Sequence, residues 1–198
     1  MSSAFFTMPR LHYGDLTKCS PAFQDIVKRN ESAYINIFKM FTNRFDFIRF
    51  KSSTSSHAFS PHLVQHIVGQ GAAQFAQLSI SPFQRELLIL VTAICAGSKY
   101  EWQQHVPISE ACGVTEAMRK AIKVLSEATI GTCIKTDTFT KAFPRVEDRV
   151  LLHFVHIINR SAVMKDYDFA LVQRHFDPQQ IVEALICHGY VRHFSLYR

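Results

Sequence analysis

An all-α fold is the class this sequence predicts, and three observations carry the prediction. Apolar residues recur at three- and four-residue intervals through most of the chain. Helix starts are marked by a Ser, Thr or Asp cap followed by Pro or by Gln or Glu at the third position. No stretch carries a convincing strand signal. The chain has 198 residues, 47% of them hydrophobic, and no Pro/Gly linker long enough to divide it, so a single helical domain over 1–198 is expected.

In chain order, Phe23, Ile26, Val27, Tyr34, Ile37, Phe38, Phe41 and Phe45 have the spacing of one or two amphipathic helices around Asn30. The polar run KSSTSSH at 51–57 reads as a loop. A helix is expected from Ser60-Pro61 to about Leu78, with Leu63, Ile67, Ala72 and Phe75 on one face and Gly69 and Gly71 either weakening it or allowing a close contact. Ser81, Pro82 and Gln84 form a complete start signal for the next helix, which should run to about Ala96. Its body from Leu87 to Ile94 is apolar on nearly every side, which is the pattern of a central buried helix.

Gly97 is a stop, and Ser98 with Glu101 three positions on suggests another capping box, so the two helices should form a tight hairpin. Gly113 closes the second of them and Thr115 caps a third that reaches about Glu127. Residues 129–144 read as a looser connection. Beyond it come a helix over about 145–160, with Val150, Leu151, Phe154, Ile157 and Ile158 inward, and a short one over 167–174. Asp177-Pro178-Gln179-Gln180 repeats the cap, Pro and third-position Gln and opens the last helix.

Charge and cysteine usage narrow the function classes. The formal charge is +6, but Lys and Arg are dispersed with no run longer than Lys28-Arg29, so no phosphate-tracking stripe is present and nucleic acid is not an expected partner. The basic surface is either a mild attraction for a carboxylate-bearing small molecule or ordinary solvated charge. Five cysteines, Cys19, Cys95, Cys112, Cys133 and Cys187, form no CxxC pair, as in a reducing compartment. Neither a signal peptide nor a membrane span is read from the sequence. A soluble, cytoplasmic protein is therefore expected, with no membrane partner.

The chemistry concentrates between Glu86 and His105. Glu86 lies one turn into the most apolar helix, where burial would raise its pKa and make it a proton carrier. Equally, it can complement the helix dipole or pair with Arg85 or Arg119, and the sequence leaves both open. Glu101 and His105 are four residues apart on one helix face, so the carboxylate can orient an imidazole that shuttles protons near neutral pH. The competing role of Glu101 is the capping box of Ser98, and that of His105 is an interhelical hydrogen bond. Elsewhere His57, His62 and His66 cluster, but with no HExxH or Cys/His signature they read as surface residues and no metal is expected. His153, His156, His188 and His193 stand on otherwise apolar helices and read as satisfied core histidines.

Glu86, eleven residues, Ser98, two residues, Glu101, three residues and His105 resemble the signature of the carboxymuconolactone decarboxylase and alkylhydroperoxidase-D-like superfamily. The words GSKYEWQQHVPISEACGVTEA resemble its decarboxylase-like members most closely, and the match covers residues 82–125. A looser likeness covers Asp177 to Glu183 and Gly189-Tyr190. The resemblance implies an alkylhydroperoxidase-D-like helical bundle around the hairpin, His105 as principal proton donor or acceptor, and Glu86 and Glu101 orienting it or moving a second proton. Where the peroxidase branch has two cysteines this chain has Ser98 and Glu101, so thiol chemistry loses its nucleophile and its resolving group.

What the resemblance leaves is cofactor-free acid–base chemistry, a decarboxylation, double-bond isomerisation or lactone-processing step on a small anionic oxygenated metabolite, aromatic or polyketide-derived. Ser98 would open a helix N-terminus that favours an anion, and Tyr100 and Trp102 are either pocket walls or core packing. A homo-oligomer, dimer, trimer or hexamer, is implied. The alternatives are a non-catalytic assembly protein that retains the fold and a thiol-dependent peroxidase.

Overall fold

A computed structural model describes residues 61–125, 136–161 and 163–195. The expected helices around Asn30, the loop at 51–57, Cys19, His57 and Cys133 lie outside those residues. The chain divides into two compact units, one of residues 1–73 and one of residues 74–196. Among the described residues there are eight helices and no strand, so the all-α class holds for them. They are α1 (Pro61–Ala76), α2 (Pro82–Cys95), α3 (Lys99–Ala111), α4 (Glu116–Val124), α5 (Asp137–Ala142), α6 (Val146–Arg160), α7 (Asp166–Gln173) and α8 (Pro178–Ser195).

The second unit is organised around α2. Every residue from Gln84 to Ala93 is buried, and α3, α4, α6 and α8 all pack on this helix. A helix that is apolar on all sides has no solvent face to offer, so the other elements must surround it. Leu87, Leu88 and Leu90 have no solvent exposure and join Leu151, Leu152 and Val155 of α6 and Cys187 and Val191 of α8 in one core. The start of α2 is as the sequence reads: the Ser81 hydroxyl accepts from the Gln84 N–H at 3.2 Å and the Gln84 amide oxygen accepts from the Ser81 N–H at 3.3 Å. Asp177 and Gln180 make the same reciprocal pair before α8, at 2.9 and 3.1 Å.

The hairpin turns tightly because Gly97 adopts a left-handed conformation, φ 63°, at the end of α2. Its N–H donates to the Ile94 carbonyl at 3.0 Å and the Ser98 N–H donates to the Ala93 carbonyl at 2.8 Å, the pairing of a Schellman motif. Gly113 ends α3 in the same way, with the Val114 N–H donating to the Ser109 carbonyl at 2.8 Å and the Val114 side chain buried. This first turn has a consequence for the expected capping box at Ser98. The Ser98 hydroxyl accepts from the Glu101 N–H at 3.4 Å, but the Ser98 N–H is already committed to α2, so the Glu101 carboxylate does not return to it. Only half the box forms, and the Glu101 side chain is released from capping.

Three further expectations need correction. In α1 the inward position near the end is Gln74, at 5% exposure, while Ala72 and Phe75 are exposed, and a Cβ on Gly69 would meet nothing within 4 Å. The connection expected over 129–144 contains α5, opened by Thr136, whose hydroxyl accepts from the Phe139 N–H. Six residues are too few to show a helical period, so only the Thr-Asp cap could have announced it. The third helix stops at Val124, short of the expected Glu127.

Two outcomes follow from this packing. Gly97→Ala forces an L side chain into the left-handed region and should destabilise the protein by about 1–2 kcal/mol. An unchanged urea midpoint would contradict the turn. His188 of α8, half-buried with Nδ1 3.2 Å from the Thr92 hydroxyl, is pulled by burial, and further by Arg192, from 6.5 to about 4. The unfolded chain therefore takes up this proton first, and stability falls as pH drops from 6.5 toward about 4. Denaturation midpoints measured across that interval should be flatter in His188→Gln.

Candidate active site

The inward stripe of α3 is polar. Ser98, Glu101, His105 and Ser109 recur at intervals of three and four, which places them on one face, and Ser98, Glu101 and Ser109 are buried. A helix laid against an apolar neighbour normally buries its apolar residues, so this inversion needs a compensating arrangement. Ser109 is satisfied locally, its hydroxyl donating to the Val106 carbonyl at 2.7 Å. Ser98 caps the helix, and His105 meets α2 at Glu86.

Glu86 has no solvent exposure and both of its carboxyl oxygens have a hydrogen-bond partner. The His105 Nδ1 stands 2.8 Å from its Oε2, and the Arg85 Nε donates to its Oε1 at 3.0 Å. Neighbouring residues on a helix project about 100° apart, so the second contact closes only because the Arg85 side chain is long enough to fold back. Of the two cations the sequence offered to Glu86, Arg119 is engaged elsewhere, with the Glu110 carboxylate at 2.6 Å and the Val114 carbonyl at 2.7 Å. The two readings of Glu86 thus meet in one residue, buried beside a histidine and paired with arginine.

On the far side of the imidazole, the His105 Nε2 is 3.9 Å from the Glu101 Oε2. That is beyond a direct hydrogen bond. The other oxygen of Glu101, Oε1, is buried with no hydrogen-bond partner. Burial pushes the Glu101 carboxyl above its ordinary range, and His105 pulls the opposite way. The result is a row, Glu86 then His105 then Glu101, in which one carboxylate is doubly satisfied and the other is inclined to keep a proton. His105 is the most open member, its side chain 13% exposed against 0% for Glu86 and 7% for Glu101.

The structure therefore brings Glu86, Glu101 and His105 together, with Ser98 capping the helix that carries two of them. The aromatic candidates are not drawn onto the row. Tyr100 projects from another side of α3 and is half-buried, and Trp102 packs against the apolar core with the Lys123 ammonium 5.2 Å from its ring centre. Two surrounding groups carried no separate signal in the sequence. Phe75, from the last turn of α1, stacks on the His105 ring with centroids 6.2 Å apart, and Tyr190 of α8 has its hydroxyl held well above the ordinary range by burial, Glu101 and Cys187.

One thiol reaches the edge of this arrangement, the Cys112 Sγ lying 4.0 Å from the Arg85 Nη2. Cys95, Cys112 and Cys187 are free, and burial pushes Cys187 up to about 12 and raises Cys95, so neither of these two is a ready thiolate. His153 is oriented by Asp168, Nε2 to Oδ1 2.8 Å, and His156 is fully buried and held below its usual value first by burial. No protein-family model matches the chain, and no curated protein matches it.

The two carboxylates should respond differently to removal. Glu86→Ala leaves the Arg85 guanidinium buried without its counter-charge and should cost about 3–5 kcal/mol. Glu101→Gln replaces a group already inclined to be neutral and should cost less than about 1 kcal/mol. Urea unfolding of both variants at neutral pH checks the order, and a larger loss for Glu101→Gln would contradict it.

Proposed function

We propose that this chain is a cofactor-free acid–base enzyme, a decarboxylase or double-bond isomerase acting on a small anionic oxygenated metabolite, on the alkylhydroperoxidase-D-like scaffold that its motif resembles. The convergence of Glu86, His105 and Glu101 carries the reading, because it supplies an imidazole held by one carboxyl group and facing a second that burial inclines to keep its proton. Lactone processing uses the same proton steps.

In a decarboxylation the bond from the α-carbon to the carboxylate breaks, its electron pair passes into the adjacent carbonyl as an enolate, and carbon dioxide leaves. Glu101 or a protonated His105 then delivers a proton to the carbanionic carbon, and solvent restores it through the exposed edge of His105. An isomerisation runs through the same dienolate, with His105 removing the proton from one carbon and returning it to another. The N-terminal turn of α3, opened by Ser98, lends partial positive charge to an enolate or carboxylate.

A second reading has its own observation. Val182, Leu185 and Ile186 stand exposed along α8, which favours assembly of copies of the chain. Together with the resemblance this supports a homo-oligomer, and a non-catalytic assembly protein if no chemistry accompanies it.

One assay separates the two. The full chain is offered β-keto and vinylogous carboxylic acids in deuterated water, and carbon dioxide release and carbon-bound deuterium are followed. His105→Ala, folded as judged by circular dichroism, should lower turnover by about 10²–10⁴-fold. Turnover that survives in folded His105→Ala would sink the acid–base assignment.

A further inference from the structure

Five contacts converge on Arg85, a side chain only 6% exposed, one of them from its Nη2 to the Cys112 Sγ at 4.0 Å. Its Nε donates to Glu86 at 3.0 Å. Its Nη1 donates to the carbonyls of Gln74 and Phe75 at 3.5 and 3.3 Å, two of the acceptors that the end of α1 leaves without helical partners. The guanidinium lies over the Phe75 ring, 4.3 Å from its centre, and that ring is inclined only 20° to the His105 imidazole it stacks on. Since His105 Nδ1 meets Glu86, the four residues Arg85, Glu86, His105 and Phe75 close a ring.

This ring decides where protons reside on His105. A buried Glu–His pair has two arrangements. In one, ionised Glu86 accepts from Nδ1–H and the Nε2 lone pair is free. In the other, protonated Glu86 donates its O–H to Nδ1 and the ring carries its proton on Nε2. Taken alone, the first is a buried negative charge and the second is neutral, so burial favours the second. With the Arg85 cation included the balance inverts: the first is neutral overall and the second leaves an uncompensated positive charge.

We infer that Arg85 is the positioning residue of this site, holding Glu86 as an ionised acceptor so that neutral His105 is protonated on Nδ1 and presents its Nε2 lone pair toward Glu101. The inference rests on the acid–base reading for its catalytic meaning, because only a free Nε2 can accept a substrate proton. Arg85 itself touches no reacting atom. Phe75 and the two carbonyls, of Gln74 and Phe75, set its place.

The test is nitrogen NMR of the ¹⁵N-histidine-labelled full chain at a pH where His105 is neutral, its signals assigned by their loss in His105→Asn. Wild type and Arg85→Lys should show the Nδ1–H tautomer. Arg85→Met should switch to Nε2–H. If Arg85→Met does not fold, Arg85→Gln, which removes the charge and keeps a polar amide donor, decides the matter by the same switch. An Nε2–H imidazole in wild type, or an Nδ1–H imidazole retained in the charge-free variants, overturns the inference. The switch without turnover of any acid offered would keep the positioning role and sink the acid–base reading. Loss of turnover in Arg85→Gln with the tautomer unchanged would sink the positioning role alone.

Discussion

A carboxylate with no solvent exposure stands in the most apolar helix of the chain, and the surrounding structure depends on how it is satisfied. An isolated charge in such a place costs far more than a small protein can tolerate. Glu86 escapes that cost through Arg85 on one oxygen and His105 on the other. Each partner comes with its own requirement. Arg85 must be covered, which the end of α1 does with two carbonyls and the Phe75 ring. His105 must be brought in by α3, which fixes how that helix rotates against α2.

The rotation of α3 explains its unusual burial. Turning His105 toward Glu86 also turns Ser98, Glu101 and Ser109 inward, so the helix buries polar residues. Two of them are disposed of cheaply, Ser98 by capping and Ser109 by a bond to its own backbone. Glu101 is not. Its released side chain is the consequence of the Schellman turn at Gly97, which takes the Ser98 N–H that a full capping box would have used. A buried carboxyl oxygen without a partner is a local cost, and costs of this kind are tolerated where function requires them. This gives the acid–base proposal a physical basis independent of the motif.

Much of the fold was legible. The caps at Ser81 and Asp177, the stops at Gly97 and Gly113 and the apolar body of α2 are local signals, since each depends on residues within one or two helical turns, and the structure has them where the sequence puts them. Where reading failed, the deciding information was not local. Phe75, half exposed, takes its place from Arg85 and His105 on other helices, and α5 is too short for a period to show.

For the site, the sequence by itself determined which residues share a face: Glu101 and His105 by helical spacing, and Glu86 at the head of the preceding helix. It also settled that Ser98 and Glu101 carry no sulfur. Only the tertiary structure decided that Glu86 and His105 meet at 2.8 Å, that Arg85 and not Arg119 is the cation, and that Glu101 is free of capping. The reason is that spacing fixes direction about one helix axis, whereas contact across two helices depends on the turn between them and on their mutual rotation. Those are set by how the buried carboxylate is satisfied, and its second partner, His105, comes from the next helix.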